Sequence, residues 1–146
     1  MFASLSRPWT IPDRLDRMRY LINHLVWQDT LCQPFLGEDW MISTSPEGQR
    51  LIALWPDAEA MHACLPDQAN LERKLLTMSS IEEAFLSELY EDELIAAFPN
   101  PAREYEMLTA DEFRRAVRYA ELARKSHLGT LTDDEREELA KSVRLM

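Results

Sequence analysis

Apolar residues recur at intervals of three and four between Asp13 and Asp29. Leu15, Met18, Ile22, Leu25 and Val26 share one side, Arg14, Arg17, Arg19 and Asn23 fall mostly on the other, and Tyr20 and Trp27 lie at the edges. That spacing predicts an amphipathic helix. The period changes over Asp39 to Ala60. Trp40, Met41 and Ile42 form a short β-prone run, and Ser45-Pro46-Glu47-Gly48 supplies a turn in which Gly accepts the left-handed conformation. Leu51-Ile52-Ala53-Leu54-Trp55 is apolar on both alternating faces, as expected of a strand covered on both sides. Pro56 ends that ladder for want of an N–H, and Asp57 is placed to cap a short helix running to Leu65, with Ala58, Met61 and Cys64 or Leu65 inward.

Thr30 to Glu38 reads as a linker marked by Pro34 and Gly37, with Phe35 and Leu36 packing inward, and Arg73 to Met78 as a third strand. Two overlapping capping boxes, Ser79 with Glu82 and Ser80 with Glu83, predict a helix to about Tyr90 that buries Ile81, Phe85 and Leu89. Leu94 to Phe98 is a last strand stopped at Pro99, and Pro99 to Met107 a charged loop. Thr109 with Glu112 opens a helix that turns Phe113, Ala116, Val117 and Ala120 inward and closes at Gly129. Thr132 with Glu135 opens a final helix to about Leu145, whose apolar face (Leu139, Val143) is thin. The fold class is α+β: a small antiparallel sheet of about four strands flanked by helices, with a C-terminal helical extension. Residues 1–128 form one domain, of which 1–12, with Pro8 and Pro12, are an extended arm, and 129–146 are a helical appendage that frays or packs on a partner chain.

Charge adds direction. The net value is −10, and it is localised. Residues 75–112 carry ten acids against Arg103 alone, residues 1–74 net −3, and residues 113–146 net +2. Such a field repels nucleic acid and anionic membrane and attracts basic surfaces. No apolar run approaches the roughly 18 residues of a membrane span, and MFASLSRPWT lacks the basic start and apolar core of a secretory signal. Cys32 and Cys64 are expected to be reduced thiols of a cytoplasmic protein.

The chain also resembles a small bacterial family catalogued as domain of unknown function 2750. The resemblance is carried by Trp40, Gly48, Leu54, Trp55, Ala60, Leu75, Met78, Ile81, Phe85, Leu86, Leu89, Asp92, Leu94 and Phe98 and covers roughly residues 15–120. It implies a small antiparallel sheet flanked by helices and brings no activity. The chain differs from the family pattern in its Glu-rich loop, where relatives carry a Gly-rich segment.

Candidate chemistry is sparse. His62 and Cys64 stand two apart, about 200° around a helix, and so diverge from a common metal ion. His24 and His127 are isolated, and three glycines in 146 residues supply no phosphate-cradling loop. The basic stripe Arg114, Arg115, Arg118, Arg124 and Lys125 is interrupted by Glu121 and balanced by the acidic middle of the chain. These features predict no enzyme, metal or cofactor. They predict an acidic inhibitor that docks on a basic protein surface, most concretely a bacterial immunity protein against a toxin effector. The expected contact residues are Glu83, Glu88, Tyr90, Glu91, Asp92, Glu93, Glu104, Tyr105 and Glu106. The alternatives are a module that oligomerises through the C-terminal helix, and an acidic mimic of nucleic acid.

Overall fold

The computed structural model describes residues 7–36, 39–40, 42–44, 47–65, 72–85 and 93–144. A short 3₁₀ turn, Pro8–Thr10, leads into α1 (Arg14–Gln28). Asp13 caps α1 by accepting from the amides of Leu15 and Asp16. Asp29 ends it in the left-handed conformation, and its carboxylate accepts from the Met78 amide at 2.8 Å. One residue therefore closes one helix and holds the start of another. α1 buries Leu21, Ile22, Leu25 and Val26, as its periodicity requires, but also Arg17. Leu15 is exposed instead.

The strands that follow are β1 (Leu31–Leu36), β2 (Asp39–Trp40), β3 (Ile42–Thr44) and β4 (Arg50–Leu54). α2 (Ala58–Cys64) comes next, capped by Asp57, and then β5 (Glu72–Leu76). A single turn, α3 (Met78–Ser80), continues as a π-helical turn over Ile81–Phe85. β6 (Glu93–Ala97), β7 (Glu106–Leu108), α4 (Ala110–Leu128) and α5 (Asp133–Arg144) complete the order.

The chain is α+β, but the expected single antiparallel sheet is replaced by two. A three-stranded antiparallel sheet runs β2-β1-β5, and a four-stranded one runs β3-β4-β6-β7 with β4 and β6 parallel. Cys32 joins the two by exchanging both backbone hydrogen bonds with Trp55, at 2.7 and 3.0 Å. β1 forms where a linker was expected. Hydrogen-bonding direction alternates along a strand, so Pro34 turns its backbone to the same edge as Cys32. There it lies between the Trp55 bridge and β2, and its missing N–H deprives no ladder partner. β7 likewise forms within the expected charged loop, pairing with β6 from Ile95–Leu108 to Ala97–Glu106.

α1 and α4 pack on each other and against β6 and β7, while α2 lies against β1 and the 3₁₀ turn. Leu25, Leu31, Ile52, Leu54, Ile95, Phe98 and Phe113 fill the core between these layers. Gly48 adopts the left-handed turn (φ 83°) and Gly129 closes α4 (φ 69°), as expected of both positions. The Thr109–Glu112 capping box forms. The box at α3 uses neither expected pair: Thr77 and Ser80 bond each other's backbone amides, which starts the helix two to three residues earlier. Among the described residues no helix is long and apolar enough to cross a membrane.

Candidate functional site

The acidic segment divides into groups with different fates. Glu93 begins β6 beside Arg50 of β4, its register partner, and its side chain is 3% exposed with the Arg50 guanidinium 3.4 Å away. It faces inward and does not belong to an exposed acidic face. Glu106 pairs with Arg14 of α1 at 3.0 Å, so its charge is balanced within the chain. Glu82 and Glu83 are exposed on the π-helical turn. Glu104 is exposed and Tyr105 half-buried, just before β7. Glu88, Tyr90, Glu91 and Asp92 lie outside the described residues.

Glu104 is held by a built turn. The Asn100 side chain accepts from the Glu104 amide at 2.9 Å, the Arg103 amide donates to the Asn100 carbonyl at 2.8 Å, and Arg103 takes a left-handed φ of 61°. From beneath, Arg17 grips the same turn. Its Nη2 donates to the Glu104 carbonyl at 2.7 Å, its Nε to the Phe98 carbonyl at 3.2 Å, and its Nη1 to the carbonyls of Ile11 and Pro12 at 2.6 and 3.1 Å. A fully buried guanidinium thus fastens the entry to α1, the end of β6 and the acidic turn at one point. Sequence reasoning placed Arg17 on the solvent side. The turn is preorganised, which lowers the ordering cost of any contact that Glu104 and Tyr105 make.

No protein-family model, curated protein or solved structure matches this chain.

The resemblance to the domain 2750 family accordingly rests on the residues quoted for it. A second surface feature emerges only from the fold. α1, α4 and α5 enclose a cleft of about 640 Å³, floored by Met18, Ile22, Leu108, Ala116 and Ala120 and rimmed by Arg19, Glu112, Arg115, Arg118 and Glu138. That volume falls in the range of small-molecule sites. The sequence assigned Met18 and Ile22 to the core and Arg115 to a solvated stripe. The cleft depends on where α5 docks, which no local pattern encodes.

α5 docks through charge. Arg118 makes a two-pronged contact to Glu138, at 2.7 and 3.0 Å, and Lys125 donates to Glu135. Lys125 and the Thr132 amide hold the Glu135 carboxyl well down, to about 2, and Arg118 lowers that of Glu138. The C-terminal helix is therefore fastened to α4 by named ion pairs, beyond what its thin apolar face supplies.

The thiols are buried, and the His24 ring is held by the backbone. Cys32 and Cys64 are buried and in no disulfide, and the Cys32 thiol lies 3.7 Å from the Met61 sulfur. Burial pushes the Cys64 thiol up, against opposing pulls from a Trp55 hydrogen bond and the Arg17 charge, and a raised pKa makes a poor nucleophile. His62 is exposed while Cys64 is buried, so the two diverge as their spacing requires. His24 Nδ1 meets the Thr30 carbonyl at 2.9 Å, which fixes the proton on that nitrogen. Among the described residues no three His, Cys, Asp or Glu side chains gather to hold a metal ion.

Proposed function

We propose that this protein is a non-enzymatic inhibitor that docks on a basic surface of another protein, with an immunity protein neutralising a toxin effector as the concrete case. The observation that carries this reading is the turn fastened by Arg17, which presents Glu104 and Tyr105 on a fixed backbone within a segment of ten acids whose one base, Arg103, lies in the same turn. Complementary charge speeds encounter and fixes register, and a rigid display limits the entropy lost on docking. Glu83, Glu104 and Tyr105 form the contact set, together with Glu88, Tyr90, Glu91 and Asp92. Glu93 and Glu106 drop out because Arg50 and Arg14 already balance them.

The test uses the full chain as bait in its native lysate, beside a Glu83→Lys/Glu91→Lys/Glu104→Lys variant. An Asp134→Lys control changes an exposed charge on α5 instead. The reading expects one basic partner retained at low salt and released at high salt. The triple variant should lose it and the control keep it. Equal retention by the triple variant, or equal loss from the control, would reject the acidic segment as the docking site.

A further inference from the structure

We infer that the cleft between α1, α4 and α5 binds a small amphipathic anion, a single carboxylate on a hydrocarbon or aromatic body. The floor supplies the apolar part, Met18, Ile22, Ala116 and Ala120, beside which Asn23, Tyr119 and Ser142 add neutral polar groups to the lining. The rim supplies the charge, and the bookkeeping of its partners gives the sign. Glu138 is engaged on both oxygens by Arg118, and Glu112 accepts from the Thr109 amide in its capping box. Arg19 has only an exposed pair with Asp16 on its own helix, at 3.3 Å. Among the described residues, the Arg115 side chain makes no hydrogen bond or ion pair.

The rim therefore offers one uncommitted guanidinium and a second that is weakly held, in a protein whose net charge is −10. Exposed pairs three residues apart on a helix contribute little, so Arg19 can turn to a better anion. A planar guanidinium suits a carboxylate, which it can hold through two hydrogen bonds. An apolar wall beside it lowers the local dielectric and strengthens that contact. The rim carries Arg19, Arg115 and Arg118 against Glu112 and Glu138, and a purely apolar occupant would leave the Arg115 charge unused, so an anion is favoured over a neutral or cationic guest. This inference concerns a different surface from the acidic turn and stands or falls separately from it.

The experiment titrates decanoate into the full chain, with decan-1-ol and decylammonium as matched neutral and cationic probes. Amide chemical shifts locate binding, and calorimetry gives the affinity. Decanoate should bind at a single site, with shifts confined to α1, α4 and α5. Arg115→Ala should weaken it by about tenfold or more, the loss expected of one charge-assisted pair, while Arg115→Lys retains part of the affinity. Ala123→Trp, at the exposed edge of the cleft, should block binding while leaving the fold intact. Decanol binding as tightly as decanoate would overturn the inference, as would an Arg115→Ala affinity equal to wild type. So would an absence of shifts at millimolar decanoate, or self-association of the chain that covers these helices.

Discussion

Arg17 donates its Nε–H to the carbonyl of Phe98, a residue 81 positions away whose own φ is +52°. A buried aromatic residue in the left-handed region is strained, and it persists where its surroundings over-determine it. Here the Phe98 ring is fully buried against Tyr20, its amide donates to Leu54 at 2.9 Å, and its carbonyl is held by the guanidinium. Arg17→Met would take the guanidinium from four carbonyls at the meeting point of three segments, of which that of Glu104 still accepts from the Asn100 amide at 3.2 Å. Each unsatisfied buried acceptor is costly, so the variant should lose about 3–5 kcal/mol. Arg17→Lys, with no fork to span the acceptors, should lose about half of that. Urea unfolding at constant m-value measures both. A loss below about 1 kcal/mol for Arg17→Met would mean that water replaces the guanidinium at little cost.

Arg17 also shows what the sequence conceals. It stands four residues before Leu21 and eight before Leu25, on their stripe, and only its charge placed it outside. The helices were legible because their signals are local: Asp13, Asp57, Thr109 and Gly129 cap as their residue types require. The strand runs at Leu51 and Leu94 were legible too. Their two-faced apolar pattern carried the mark of a parallel pair, which an antiparallel reading passed over. β1 was hidden by Pro34, whose tolerance depends on a gap beside a distant strand. The acidic turn was visible as charge and invisible as geometry, since its fastening comes from a helix at the other end of the chain.

Gln33 on β1 is 1% exposed, and neither its amide nitrogen nor its oxygen finds a hydrogen-bond partner among the described residues. A buried, unsatisfied amide costs roughly 1–3 kcal/mol. Gln33→Met keeps the length of the chain while removing both polar atoms, so it should raise stability by about 1 kcal/mol and lift the thermal midpoint. Gln33→Glu should do the reverse, since it places a charge in the same apolar surroundings. A destabilised Gln33→Met protein would show that the amide is satisfied in solution.

Glu93 and Arg50 test whether the acidic segment is uniform. The carboxylate is buried while the guanidinium is about half exposed, so the two partners are not equivalent. Arg50→Met strands a charge in the interior and should cost roughly 1–3 kcal/mol, whereas Glu93→Gln removes the charge itself and should cost less. Neither substitution should alter salt-dependent partner capture. A docking defect in a folded Glu93→Gln protein would return that residue to the contact surface.

The ion pairs that Glu135 and Glu138 make under α5 give the protein a defined acid response. Glu135 and Glu138 are both depressed, Glu135 from an ordinary 4.5 to about 2, so each favours the docked helix when ionised. Their contribution is complete above the ordinary carboxylate range and is lost as pH falls below it, for Glu135 from about 4.5 toward about 2. Below that window Arg118 and Lys125 face neutral carboxyls, and the apolar face of α5 is left to hold it. The Glu135 carboxyl resonance should therefore titrate near 2 in the wild type and higher in Lys125→Met, still short of 4.5 because the Thr132 bonds remain. Amide exchange of α5 should rise over the same interval while the core around Leu54 and Phe98 stays protected. A wild-type Glu135 that titrates at its ordinary value would mean that α5 does not hold this position in solution. The cleft would then lose one of its three walls, and the anion site with it.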